Sequence, residues 1–180
     1  SGGILSHAPR RVQSMLMMVD AYEPLGVTRL SVDSIFMMPH LGVLSTVNEQ
    51  AATDVFVRDC MVYLGTCIAP IGQGKDGERC ADYEIALPDG RIERGQLAFG
   101  DLKLFALARE QQATVTMQPA KQIDLGNGPG QSFTKTVKGG VVGLMLDGRG
   151  RPLQLPSEQA ARVAMLTRWY QAVGLYPVGS

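Results

Sequence analysis

Arg149 and Arg151 stand close together in Asp147-Gly-Arg-Gly-Arg-Pro152, each beside a glycine that lets the backbone bend. A guanidinium presents planar, permanently charged N–H donors, so two on one turn can be brought to a single ligand or partner acid. The chemistry this suggests is contact with a partner or an anion through Arg149, Arg151 and Asp147, with no catalytic step. Internal pairing with Asp147 or Glu158 is the alternative, and the residues leave both open.

Other candidates are weaker. Asp124-Leu-Gly-Asn-Gly-Pro-Gly-Gln131 could present backbone N–H groups to an anion, but Pro129 removes one donor and no Lys-Ser/Thr pair follows. A hairpin or surface loop is the simpler reading. His7 and His40 are the only histidines, and no Gly-x-Ser-x-Gly nucleophile motif accompanies them. Carboxylates are scattered, and no His or Cys pair has metal-ligand spacing, so no metal site and no catalytic residue is expected. Cys60, Cys67 and Cys80 read as reduced, buried thiols of a cytoplasmic protein. The methionines at 15, 17, 18, 37 and 38 read mainly as core filling, with Met17 and Met18 partly off the main stripe.

Seventeen basic and 17 acidic residues cancel, and neither sign forms a long run, which argues against nucleic acid. No apolar run approaches the ~18 residues that cross a bilayer, so no membrane partner is expected. The opening Ser1-Gly-Gly-Ile-Leu-Ser-His7 lacks a basic n-region and an initiator Met. It suggests a cut piece of a longer protein, a processed terminus being the alternative.

These residues need elements to position them. Val12, Met15, Leu16, Val19 and Tyr22 recur at helical steps behind Pro9, and Val27 to Ile35 then reads as a strand. Phe36 to Leu44, broken by Pro39 and Gly42, is either a short helix or a buried connection. Thr46-Val-Asn-Glu49 opens a second helix, capped by Thr46 or Asn48.

Beyond Asp59 the pattern becomes about seven short β-prone runs between turns, with Pro88-Asp-Gly90 as the best hairpin signal. A last helix follows, capped by Ser157, with Val163, Leu166, Tyr170 and Val173 as its stripe and Trp169 as its anchor. Gly174 and Pro177 end it. The fold class is α+β: residues 1–58 form a helix-strand-helix unit, and residues 59–180 form a β-rich barrel or sandwich with a packed C-terminal helix.

The stretches Ser1 to Pro9, Gly26 to Arg29, Pro39 to Leu44, Leu64 to Thr66, Asp124 to Gly126 and, most distinctively, Val141 to Leu153 carry a resemblance. The sequence resembles the C-terminal part of the glutamate mutase accessory protein family MutL, which shares only its name with the mismatch-repair factor. The resemblance implies an ATPase-like core of the sugar-kinase/actin/Hsp70 type. It also implies association with an adenosylcobalamin-dependent carbon-skeleton mutase, which the protein would maintain or reactivate. Ser1, Gly2 and Gly3 would be the remains of a late adenosine-supporting motif, with His7, Arg10 and Arg11 near that nucleotide edge. The earlier phosphate and Mg²⁺ motifs are missing, so ATP and Mg²⁺ are expected only for the full-length protein, and no cofactor for this piece.

The function expected is therefore that of a cytoplasmic accessory fragment whose partner is the mutase subunit. A small-molecule enzyme domain and a self-associating structural β module are the alternatives.

Overall fold

The computed structural model describes residues 3–175, so Ser1, Gly2 and the expected stop at Pro177 lie outside the described residues. A short turn of helix, α1 (Gly3–Ser6), leads into α2 (Arg11–Tyr22). The Arg10 N–H donates to Gln13 Oε1 at 2.9 Å, which fixes the start of α2. Met15, Leu16 and Val19 are buried as the stripe predicts, whereas Tyr22 ends the helix in solvent.

Strand β1 (Gly26–Asp33) follows, and the open question over Phe36 to Leu44 resolves as a helix, α3 (Met38–Ser45). Pro39 does not break it because it falls in the first turn, where the missing N–H has no partner to lose. The buried Asp33 carboxylate holds that turn, accepting from the N–H of Met38 at 2.8 Å and of Ile35 at 3.3 Å. Burial works to raise the Asp33 pKa, but the hydrogen bonds it accepts from four backbone N–H groups outweigh this and hold it below its ordinary value. Of the two candidate caps, Asn48 opens α4 (Glu49–Val55), accepting from Ala51 N–H at 3.0 Å. A wide π-type turn at Phe56–Cys60 returns the chain to β2 (Met61–Ala69).

The β-prone runs become β2, β3 (Arg79–Ala86), β4 (Ile92–Ala98), β5 (Leu102–Phe105), β6 (Gln112–Pro119), β7 (Phe133–Lys138) and β8 (Gly143–Asp147). They form two four-stranded sheets, β1-β2-β8-β5 and β4-β3-β6-β7. This is a sandwich-like arrangement, and no barrel closes among the described residues. The Asp89-Gly90 turn joins β3 and β4, with Leu87 N–H donating to Arg91 O at 2.8 Å.

In β6 every second residue is buried, so Ala113, Val115 and Met117 face the first sheet. Strand β8 is buried throughout, because Leu144 and Leu146 face the second sheet while Met145 faces a helical layer. That layer is α2 together with α5 (Gln159–Ala172). Helix α5 differs from expectation in two details. Its cap is Glu158, whose carboxylate accepts from the N–H groups of Ala160 and Ala161, one residue later than Ser157. Its buried face centres on Trp169 and Val173, and Val163 is exposed.

Among the described residues, no helix is long and apolar enough to cross a membrane.

Candidate functional site

The arginine turn lies inside the molecule. Asp147, at the end of β8, is fully buried, and both guanidinium groups close on it. Arg149 donates from Nε to Oδ1 and from Nη2 to Oδ2, both at 2.9 Å. Arg151 Nη2 reaches Oδ2 at 2.6 Å, and its remaining nitrogens donate to the carbonyls of Gly150 and Pro24. A second acid, Asp20 on α2, lies 2.8 Å from Arg149 Nη2. The Arg149 guanidinium also sits 4.8 Å from the centre of the Trp169 ring.

Of the two readings open for Arg149 and Arg151, this geometry takes the internal brace. The Arg149 side chain is only 1% exposed, so the contact with a partner or anion expected through Arg149, Arg151 and Asp147 is corrected. The turn instead clamps β8 to α2 and α5. Burial and the pairing pull in opposite directions on these groups. For Asp147 burial favours the neutral acid, yet the hydrogen bonds and charges of Arg149 and Arg151 prevail and hold its pKa below the usual range. For Asp20 burial prevails over Arg149, and its pKa is raised. Asp20 Oδ1 and Arg149 Nη1 are buried without a well-formed hydrogen bond.

Asp20 forms part of a cavity of about 500 Å³ between α1, α2 and α5, whose walls include Gly3, His7, Gln13, Met17 and Tyr170. The expected nucleotide edge is thus partly gathered here: Gly3 and His7 line the cavity, with His7 Nδ1 held 3.0 Å from the Gly3 carbonyl. Arg10 and Arg11 do not line it. Arg10 donates to the carbonyls of Gly174 and Leu175, and Arg11 to that of Ser6.

The hydroxyls of Ser6 and Ser14 also donate to carbonyls, those of Asp33 and Leu5. Among the described residues, Asp20 is the one carboxylate on the cavity wall and no metal-holding cluster occurs. The cavity wall is largely apolar, and no reaction step is assigned to it.

The cysteines are unpaired and buried, and burial pushes the Cys80 thiol up to about 12 and the Cys67 thiol higher still. In the Gly-rich loop, Asp124 Oδ1 already accepts from the N–H groups of Gly126 and Gly128, so those donors serve the loop itself. His40 is exposed on α3.

Two features escaped the sequence reading. Asp20 follows Leu16 by one helical turn, and a lone acid on a buried stripe signals a buried partner. The other is the α3–α4 hairpin, which buries only Leu41, Ala52 and Cys60 as its own small core. Its outer surface carries Val43 at 71% exposure and Val47 at 86%, with Ile35, Phe36 and Met38 exposed at its base. Apolar residues that satisfied no helical stripe were the available signal.

Comparison with curated proteins and with solved structures gives no match. Residues 1–60 match the family described as MutL protein, the glutamate mutase accessory proteins, so the resemblance holds for the segment that carries α1, α2, β1 and the exposed hairpin.

Proposed function

We propose that this chain is the mutase-contacting part of an ATPase-like accessory protein that maintains or reactivates an adenosylcobalamin-dependent mutase, and that the α3–α4 hairpin makes the contact. The observation that carries this reading is the position of the hairpin. The exposed apolar side chains Ile35, Phe36, Val43, Leu44, Val47 and Val57 all fall within the residues that match the glutamate mutase accessory family. Exposed apolar side chains gathered along one short segment of chain are characteristic of an interaction surface. Phe36 adds to this, since a bulky residue at φ +59 holds backbone strain of the kind that gathers at functional segments.

In this reading ATP and Mg²⁺ belong to the full-length protein, and the cavity beside Gly3 and His7 is what remains of a nucleotide edge. The buried, unpaired thiols suit a cytoplasmic setting.

The test is calorimetric titration of the chain against purified glutamate mutase, with and without ATP. Binding is expected in both conditions, and the double variant Val43→Asp/Val47→Asp should lose at least tenfold in affinity with an unchanged melting temperature. Full-strength binding by that variant, or no binding by the wild type, would overturn the proposal.

A further inference from the structure

A basic cleft lies on the other face of the first sheet, and of the exposed apolar residues named above only Val57 lines it. On β1 and β2, Leu30, Val32 and Leu64 turn toward the helical layer. Strand alternation therefore directs Arg29 and Tyr63 to the opposite face. They lie diagonally across the ladder, because Arg29 pairs with Thr66 and a bulge after Leu30 places Ser31 opposite Tyr63.

The second sheet completes the cleft. Gln112, at the start of β6, is paired with Lys138, at the end of β7, and the preceding turn delivers Arg109. Arg29 Cζ stands 4.0 Å from the Tyr63 ring centre, and Arg109 Cζ stands 5.3 Å from it. Arg29, Arg109 and Lys138 thus line one opening of about 240 Å³.

Among the described residues one acid lines the cleft, Glu110, and it lies 3.5 Å from Arg109 with 90% of its side chain in solvent. Among the described residues, Arg29 and Lys138 form no salt bridge. A guanidinium laid on an aromatic ring keeps its N–H edge open for in-plane hydrogen bonds, the arrangement that takes an oxyanion at two points.

The walls are also fixed. Ala108 N–H donates to Gln111 Oε1, Gly139 N–H donates to the Gln111 carbonyl, and Thr66 Oγ1 donates to the Lys138 carbonyl. Gly139 and Gly140 let this corner lie against the backbone of Leu107 and Leu64, where any Cβ would collide. The opening is smaller than the ~300–1,000 Å³ pockets of drug-sized ligands, which suits a compact anion.

We infer that the cleft formed by Arg29, Tyr63, Arg109 and Lys138 binds the oxyanion of a small phosphorylated ligand. Two sources share this chemistry, a diphosphate and a single phosphate group, and the probes separate them. The 180-residue chain would be titrated calorimetrically with inorganic pyrophosphate and with inorganic phosphate, at low and high sodium chloride.

One-site binding that weakens with salt is expected. A pyrophosphate preference of tenfold or more assigns the diphosphate, and equal affinities assign the single phosphate. Arg29→Gln and Lys138→Gln should each cost at least tenfold in affinity with unchanged melting, and Tyr63→Leu should weaken binding while keeping every charge. Lys121→Gln, an exposed lysine outside the cleft, should leave binding intact. Absence of binding at millimolar pyrophosphate and phosphate overturns the inference. So does wild-type affinity in both cleft-charge variants, or an equal loss in Lys121→Gln.

Discussion

Asp147 receives two guanidinium groups in a place that water does not reach, and this decides what the arginine turn is for. Removing the acid's charge would leave Arg151 buried without its counterion and Arg149 with Asp20 alone, so Asp147→Asn should lower stability by about 3–5 kcal/mol in urea unfolding. Asp20 and Asp147 should also part company with pH. The depressed pKa of Asp147 means that its stabilisation is present above the ordinary carboxylate value of 3.8 and is lost only as pH falls through its lower folded value. Asp20 is raised, so the sign reverses. Relative to Asp20→Asn, the wild type should gain stability as pH falls from neutral through the folded pKa of Asp20, levelling off below 3.8, as measured by urea midpoints across pH. A sequence shows that two arginines and an acid share a turn. It does not show which way they point, because Asp20 and Trp169, which decide the matter, are distant along the chain.

Among the elements, α5 and the β2–β8 pair carry the most weight. Trp169 is 3% exposed and donates from Nε1 to the Gly100 carbonyl at 2.8 Å, so Trp169→Ala should cost about 3–5 kcal/mol. Trp169→Phe should recover most of that, losing mainly the hydrogen bond, about 1 kcal/mol. Denaturant unfolding followed by circular dichroism checks both. Gly65 has φ +145, and a Cβ there would collide with the Gly143 carbonyl in the neighbouring parallel strand. Gly65→Ala should therefore destabilise by roughly 1–3 kcal/mol from strain, with a similar contribution from crowding, read by the same assay.

Strand extents were legible because β-branched runs stand between turn residues, and the β-prone runs beyond Asp59 become the seven strands β2 to β8. Pairing was not legible. Nothing local announces that β2 lies parallel to β8, about eighty residues away along the chain. In α5 the expected stripe packs at Leu166, Tyr170 and Val173 and the Trp169 anchor is buried, whereas Val163 is exposed, which only the packing of the helix reveals.

Across the whole molecule, stability is uneven. The sandwich and the helical layer each have a large core, whereas the α3–α4 hairpin rests on Leu41, Ala52 and Cys60. Native-state hydrogen exchange should show amides of residues 38–55 opening at a lower free energy than those of β3 and β6. The class of fold was readable from the change of period after residue 59, but the participation of β1 in the first sheet was not, since that sheet joins strands from both sides of the change.

The match to the family model spans residues 1–60 and stops immediately before β2 begins. Strand β1 lies within the matched stretch, and its antiparallel partner β2 lies outside it, joined from Gly26↔Ala69 to Asp33↔Met61. The border of that match therefore cuts a hydrogen-bonded ribbon along its length. A protease or an expression boundary placed there would strip β1 of its partner and leave both of its edges bare, a template for pairing with other chains. The first sixty residues are the stretch by which relatives are recognised, yet isolated as a polypeptide they should aggregate, because the half of the ribbon that keeps them soluble has been left behind.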